Sequence, residues 1–230
     1  MTFDRPILLV EDDEVLADMV QNYLTSHGFE VQLEARGDHA VARIKDENPL
    51  LVILDLGLPG LDGFEVCKQV REQYNGFILV VTAQGDEVDE VACLEIGADD
   101  FLAKPVRPRV LLAHIRALLR RTTQAAASPP NQISVGDLDV HAGRREAHFK
   151  GELLNLTSSE FDLLELLASR AGEIVSRSEL YEELRGVKYD GLDRSIDLRV
   201  SRLRSKIEEH PSCPKLIKSV RGVGYLLAAS

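Results

Sequence analysis

Cysteine is scarce in this sequence and scattered. Cys67, Cys93 and Cys213 are the only three, an odd number with no CxxC pair and no histidines at ligand spacing, so ordinary thiols are expected rather than a disulfide framework or a zinc site. No apolar run approaches the length that spans a membrane, and Met1 to Val10 lacks the basic-then-apolar layout of a signal peptide. A cytoplasmic protein with no membrane partner is expected. Basic charge is also short, with a formal net charge of -11. The excess acid lies almost wholly in residues 1–122, which hold 12 basic and 22 acidic side chains; residues 123–230 hold 15 and 16. Binding to nucleic acid would therefore have to rest on a local patch. No internal repeat and no Gly-rich phosphate loop ending in Lys and Ser or Thr is present. The 230 residues allow two domains, each able to bury a core.

The stretch that organises the first half is Leu50 to Gly60, LLVILDLGLPG, an apolar run that ends on one carboxylate, Asp55, followed by turn formers. Such a run predicts a strand covered on both faces, as in parallel α/β sheets, where chemistry collects at the carboxyl ends of strands. Around it, strand and helix patterns alternate. Strands are predicted at 7–10, 30–33, 77–82 and 100–103, and helices at 15–24, 38–46, 63–74, 86–96 and 108–121. Five strand-helix units imply a doubly wound, flavodoxin-like five-stranded parallel sheet. Its strand ends carry Glu11 and Asp12, Asp55, Thr82 and Lys104, all on one edge. Crowded carboxylates raise one another's pKa unless a cation neutralises them, and an oxygen-rich set of this kind suits Mg²⁺. A hydroxyl and an ammonium beside them are what an incoming phosphoryl group requires. The edge is therefore suited to phosphorylation of Asp55. Alone, Asp55 could equally open a turn, and the acidic run could simply favour a helix N-terminus.

The strings VEDD at Val10 to Asp13, DLGLPGLDG at Asp55 to Gly63, VTA at Val81 to Ala83 and GADDFLAKP at Gly97 to Pro105 resemble the receiver domain of bacterial two-component response regulators. The resemblance implies that Asp55 takes a phosphoryl group from a histidine of a cognate sensor histidine kinase. It implies Mg²⁺ held by Glu11, Asp12, Asp55 and the Gly57 backbone carbonyl, phosphoryl oxygens bound by Thr82 and Lys104, and Phe101 as the aromatic that turns inward when Thr82 moves. Asp13 is auxiliary. Added phosphate gives Thr82 a partner it lacked, so that its loop shifts. The resemblance also implies a homodimer through the face containing residues 86–120. The chain departs from the common pattern there, with Glu90, Val110 and His114 at positions expected to be charged partners, although His114 could meet Asp100.

Thr122 to Gln132 has no apolar periodicity and holds a Pro pair, so it reads as a linker between residues 1–121 and 133–230. Short alternating segments from Ile133 to Leu156 predict an antiparallel platform. Three helices follow, beginning at Thr157, at Ser176 or Ser178, and at about Asp193. On the third, Ile196, Val200, Leu203 and Ile207 form an apolar stripe, with Ser195, Arg199, Arg202 and Lys206 one residue out of step. An ordinary solvated face is the alternative. A hairpin with Arg221 to Gly224 at its tip closes the chain. LTSSEFDLL, DRSIDLRVSRLRSKIE and IKSVRGVGYLL resemble the winged helix-turn-helix effector domain of the OmpR/PhoB class, an α+β fold, and LRGVKYDGLDRS at Leu184 to Ser195 is similar to its RstA-like subgroup. The match implies a transcriptional regulator that binds double-stranded DNA at repeated half-sites and works with RNA polymerase. It places Ser195, Leu198, Arg199 and Arg202 at the groove, Arg204 and Ser219 at phosphates, Arg221 in the wing, and Asp197 as an orienting group. Two rival readings remain. In the first, an enzyme passes through an aspartyl phosphate, against which Gly57 stands where a second aspartate would be needed. In the second, a receiver is joined to a protein-binding module.

Overall fold

The computed structural model describes residues 5–83, 87–127, 132–185, 195–208 and 210–229. It divides into two compact units, 1–115 and 116–230.

In the first unit β1 (Ile7–Val10), β2 (Val31–Glu34), β3 (Leu51–Leu54), β4 (Phe77–Thr82) and β5 (Asp100–Ala103) alternate with α1 (Glu14–Ser26), α2 (Gly37–Glu47), α3 (Gly63–Arg71), α4 (Glu87–Ile96) and α5 (Pro108–Ala127). The strands pair in parallel in the order β2-β1-β3-β4-β5. β1, β3 and β4 are buried along their whole length, whereas the edge strands β2 and β5 are only partly so. This is why the three inner strands read as unbroken apolar runs. One face of the sheet packs Leu8, Val10, Val52, Leu54, Ile78 and Val80 against Ala40, Ile44, Val66 and Val70. Ile7, Leu9, Leu51, Ile53, Phe77 and Leu79 are buried on the other.

Carboxylates start the helices beside the site edge. Asp13 accepts from Leu16 N at 3.0 Å and caps α1, and Asp62 accepts from Glu65 N at 2.9 Å and caps α3. Two helix ends differ from the sequence expectation. α3 stops at Arg71, and Tyr74, expected within it, is 1 % exposed with its hydroxyl 3.1 Å from Pro49 O and 3.2 Å from Phe77 O. α5 runs on past Arg121 to Ala127, so the first part of the expected linker is helical. Three successive alanines favour helix, and the chain meets no proline until Pro129. Residues 128–131, the expected helix start at Asp86 and most of the RstA-like stretch lie outside the described residues.

The second unit opens with an antiparallel sheet of β6 (Gln132–Val135), β7 (Leu138–His141), β8 (Glu146–Phe149) and β9 (Glu152–Leu153), in that order. Then come α6 (Ser158–Ser169), β10 (Val175–Ser176), α7 (Arg177–Arg185), α8 (Ser195–Ile207), β11 (Ile217–Val220) and β12 (Gly224–Leu227), the short strands forming a sheet in the order β10-β12-β11. Thr157 and Glu160 make a complete capping box on α6, with Thr157 N donating to Glu160 Oε2 at 2.8 Å and Glu160 N to Thr157 Oγ1 at 3.3 Å. The predicted apolar stripe Ile196, Val200, Leu203 and Ile207 lies in the core with Phe161, Leu164 and Leu167 of α6. The expected platform and three-helix order are therefore present. Position 193, where the third helix was expected to begin, is outside the described residues.

Gly63 fixes the site edge at close quarters. A Cβ there would lie 2.2 Å from the Asp55 carbonyl oxygen and 2.8 Å from Leu56 Cα, both backbone atoms that cannot turn aside. We expect Gly63→Ala to destabilise the first unit by about 1–3 kcal/mol through overpacking, read as a lowered urea midpoint. An unchanged midpoint would show that the β3–α3 turn yields without cost.

Candidate functional site

Parallel pairing brings the strand ends together. Asp55 N donates to Val10 O at 3.0 Å, Glu11 N to Glu34 O at 3.0 Å and Lys104 N to Thr82 O at 2.7 Å. The backbone ladder itself therefore delivers Glu11, Asp55, Thr82 and Lys104 to one edge. Lys104 Nζ bridges two carboxylates, donating to Asp55 Oδ2 at 2.6 Å and to Glu11 Oε2 at 2.7 Å. The other Asp55 oxygen, Oδ1, accepts from Leu56 N at 2.6 Å and Gly57 N at 3.2 Å. The Thr82 hydroxyl also hydrogen-bonds the Asp55 carboxylate. Thr82 therefore does not lack a partner, as the sequence reading supposed: the β3–β4 pairing already brings it to Asp55.

Glu11, Asp55 and Thr82 are buried, whereas Asp12 is exposed. One ligand oxygen from each of Glu11, Asp12 and Asp55 lies within 4.8 Å of the others. Three carboxylates face one ammonium, so the cluster retains negative charge. Asp13, engaged as the α1 cap, stands apart from the set. Gly57 is exposed, with open space where a Cβ would be. Phe101 is half-buried against the core face shared with Leu54 and Val80.

The two carboxylates that share Lys104 respond in opposite senses. Burial pushes Asp55 up, but the Lys104 hydrogen bond, the Gly57 N–H, the lysine charge and the Thr82 hydroxyl together hold it below the usual aspartate range. Burial dominates at Glu11, and its pKa is raised despite the bond to Lys104. Desolvation would lower the Lys104 ammonium, but its bonds to Asp55 and Glu11 outweigh that and its pKa is raised. Asp55 is thus held in its carboxylate form, with a cation and a hydroxyl at its side.

In the second unit the structure sorts the expected contact residues. Leu198 and Arg202 are half-exposed on α8, and Ser219 and Arg221 are exposed on the hairpin. Ser195 and Arg199, expected at the groove, are instead 0 % and 4 % exposed. At about 100° per residue, Arg199 lies only about 60° from Ile196 and 40° from Leu203, so the basic stripe follows the margin of the core. The outward face of α8 is Leu198, Ser201, Arg202 and Ser205. Lys206 is drawn to Glu160 Oε2 at 2.6 Å and Asn155 O at 2.7 Å. Arg204, expected at a phosphate, donates twice to Ile217 O, at 2.9 and 2.7 Å, and to Ser219 Oγ at 2.9 Å, tying α8 to β11.

Asp197 does orient its neighbours, accepting from Arg177 Nε at 2.9 Å and from the Tyr225 hydroxyl. The Tyr225 ring lies against both Arg177 and Arg204, whose guanidinium carbons are 4.8 and 5.7 Å from its centroid. Burial and the Asp197 bond push the Tyr225 hydroxyl up to about 12. Sequence reasoning missed Arg177 and Tyr225 as members of this network. The signal was faint: an aromatic directly after the hairpin turn and an arginine at a helix start.

Residues 7–116 match the family described as response regulator receiver domain, and residues 151–227 match transcriptional regulatory protein, C terminal. The chain belongs to the two-component response regulators, in the class that joins a receiver to an OmpR/PhoB-type DNA-binding domain. Response regulator DrrB, an OmpR/PhoB homologue of Thermotoga maritima, is 29% identical with a TM-score of 0.52, over 99% of this chain and 100% of that one. A point mutant of RitR shares the fold at 23% identity and a TM-score of 0.77, over 98% and 100% of the two chains. The BeF3-activated receiver domain of Klebsiella pneumoniae RstA is 40% identical over 50% of this chain and 98% of its own, with a TM-score of 0.48.

The depressed Asp55 pKa gives a signed expectation. Ionised Asp55 contributes stability that is present above the ordinary aspartate pKa and is lost as pH falls through its lower folded value. In metal-free buffer, Lys104→Met should raise the Asp55 pKa and move that loss to higher pH. Carboxyl ¹³C titration reads the shift, and an unchanged Asp55 would mean that the backbone N–H groups, not Lys104, hold the charge.

Proposed function

We propose that the protein is a transcription factor switched by phosphorylation of Asp55, and the bridge from Lys104 to Asp55 and Glu11 is the observation that carries this reading. Asp55 Oδ2 attacks the phosphorus of a phosphohistidine on a sensor kinase; the new O–P bond forms as the N–P bond breaks, and the ring, protonated beforehand at its other nitrogen, takes the N–P electron pair and leaves as neutral imidazole. Glu11, Asp12, Asp55 and the Gly57 carbonyl would hold Mg²⁺ as oxygen donors. The three carboxylates fit, because their oxygens converge and keep excess negative charge beside Lys104. When bound, Mg²⁺ supplies charge neutralisation for the transferring phosphoryl oxygens. Lys104 and Thr82, now on the Asp55 carboxylate, pass to the phosphoryl oxygens, and the half-buried Phe101 follows Thr82. No turnover of a substrate is required; the phosphoryl group is lost slowly to water.

The output is self-association through residues 86–120 and binding of paired effector domains to half-sites on double-stranded DNA in the cytoplasm, where RNA polymerase is the further partner. The dimer face is weakened. His114 Nδ1 is 2.8 Å from Asp100 Oδ2 within one chain, and the exposed Val110 carries no charge. Glu90 lies outside the residues whose side chains are described.

One experiment tests the scheme. Wild type and Asp55→Asn are compared for labelling by a small phosphodonor, and for sedimentation and affinity towards genomic DNA fragments with and without Mg²⁺ and beryllofluoride. Wild type should be labelled about once per chain, bind selected fragments more tightly with the mimic and sediment short of a complete dimer; Asp55→Asn should take no label and ignore the mimic. Labelling of Asp55→Asn at another residue would refute the phosphoacceptor assignment, and a clean dimer would refute the weakened face. For the hairpin, Arg221→Ala should weaken binding alike on all sequences and reduce the salt slope by about 1, as loss of one phosphate contact does. A loss confined to selected sequences would make Arg221 a base reader instead.

A further inference from the structure

The receiver sheet has two edges, and they are finished differently. β5 closes one end and belongs to residues 86–120; β2 closes the other. In a parallel ladder alternate residues turn their backbone groups to the neighbouring strand, and the residues between turn theirs away. Glu30 O accepts from Ile7 N at 2.8 Å and Glu34 O from Glu11 N at 3.0 Å, with Val31 and Leu33 in register with Ile7 and Leu9. The carbonyls of positions 30, 32 and 34 therefore face β1, and Val31 and Leu33 present their backbone groups to the open side. Such a row is a template on which another chain can add a strand.

Both outward carbonyls are occupied. Gln21 Nε2 of α1 donates to Val31 O at 2.9 Å, and Arg43 Nη1 of α2 donates to Leu33 O at 2.7 Å. The connections from β1 to β2 and from β2 to β3 cross the sheet in opposite directions, so right-handed crossovers put α1 and α2 on opposite faces. One cap thus folds over the edge from each face. Arg43 is itself held in place, with Nε and Nη2 donating to Glu47 at 2.8 and 3.1 Å and Nη2 to Gln32 Oε1 at 2.6 Å. Charge adds to the closure. Two-fold antiparallel pairing about Gln32 would set Val31 opposite Leu33 and Glu30 opposite Glu34, bringing like charges together.

We infer that Gln21 and Arg43 bar the β2 edge against strand pairing with a second copy of this chain. The inference deepens the proposed output and rests on its self-association through residues 86–120, at the opposite end of the sheet. A dimer joined through β2 would form whether or not Asp55 carries phosphate, because none of the residues that meet the Asp55 carboxylate lies on that edge. The two caps therefore leave self-association to the end of the sheet that the phosphorylation site can influence.

The test is sedimentation velocity of the full chain over a range of protein concentrations, without Mg²⁺ or a phosphoryl mimic and at high salt, which screens Glu30 from Glu34. Wild type should keep one sedimentation coefficient. The double variant Gln21→Ala, Arg43→Ala should show a coefficient that rises with concentration, and equally so with Asp55→Asn added. Backbone amide exchange at Val31 and Leu33 should slow over the same range. Leu33→Pro removes an outward N–H without costing a bond to β1, and added to the double variant it should restore the flat profile. The amide exchange decides the matter even if the proline variant folds poorly. A double variant that stays flat, a wild type that already associates through Val31 and Leu33, or a rise that survives Leu33→Pro in a folded chain would overturn the inference. Beryllofluoride and Mg²⁺ are then added to wild type; no association in that arm would count against the 86–120 face alone, since closure of β2 is read without the mimic.

Discussion

The receiver depends on one ammonium holding two carboxylates that the sheet forces together. β1 and β3 are adjacent and parallel, so their ends set Glu11 and Asp55 side by side, and both are buried. Without a cation such a pair would repel and one member would protonate. Lys104 reaches it from the end of β5, across the position of Thr82 on β4, and bonds both, at 2.7 and 2.6 Å. Three strand ends are therefore linked by one side chain. New charge on Asp55 would redistribute the partners of Lys104 and Thr82, and that redistribution would be the physical origin of the proposed switch.

The asymmetry between the two carboxylates follows from backbone geometry. Asp55 sits where the chain turns, so that Leu56 N and Gly57 N both point at Oδ1, leaving Oδ2 to the lysine. Glu11 lacks a comparable pair of N–H donors and is dominated by its burial. A single lysine thus leaves one partner a committed anion and the other more easily protonated. The carboxylate held the more firmly in its charged form is Asp55, which supports the proposed choice of Asp55 over Glu11 as phosphoacceptor.

Legibility from sequence divided along physical lines. The inner strands and the residues at their ends were readable because full burial on both faces leaves an unbroken apolar run, and a charged residue closing it has nowhere to go but the edge. The string GADDFLAKP was less transparent. Asp99 turns inward to Arg71 Nη2 and Ile78 N, at 2.8 and 2.7 Å, and Asp100 meets His114 and Phe101 N. Both acids are structural, and the contact of Asp100 with His114 is the one the sequence allowed for. The end of α5 was misjudged because TTQAAA has no apolar period, while alanine needs none to continue a helix. On α8 the apolar stripe lies in the core as expected, whereas the neighbouring stripe divides: Ser195 and Arg199 are buried and Arg202 stays half-exposed. Residues one step from a core stripe can face its margin as readily as solvent, and only the packed neighbours decide.

The same ambiguity explains the effector's internal wiring. A basic side chain near a helix that reads DNA can meet phosphate, or it can hold the helix against the hairpin. Arg204 does the second through Ile217 O and Ser219, and Arg177 does it through Asp197 and Tyr225. Tyr225, one strand residue beyond the hairpin turn, lies between the two guanidiniums and donates to Asp197 on the first turn of α8. The relative placement of helix and wing is therefore set by a charged, hydrogen-bonded network rather than by apolar packing alone. Such contacts demand specific distances and angles. This geometry fixes the spacing between the half-exposed Arg202 on α8 and the exposed Arg221 on the wing. Specificity for a half-site would then rest as much on the residues that hold these two apart as on the residues that touch the DNA.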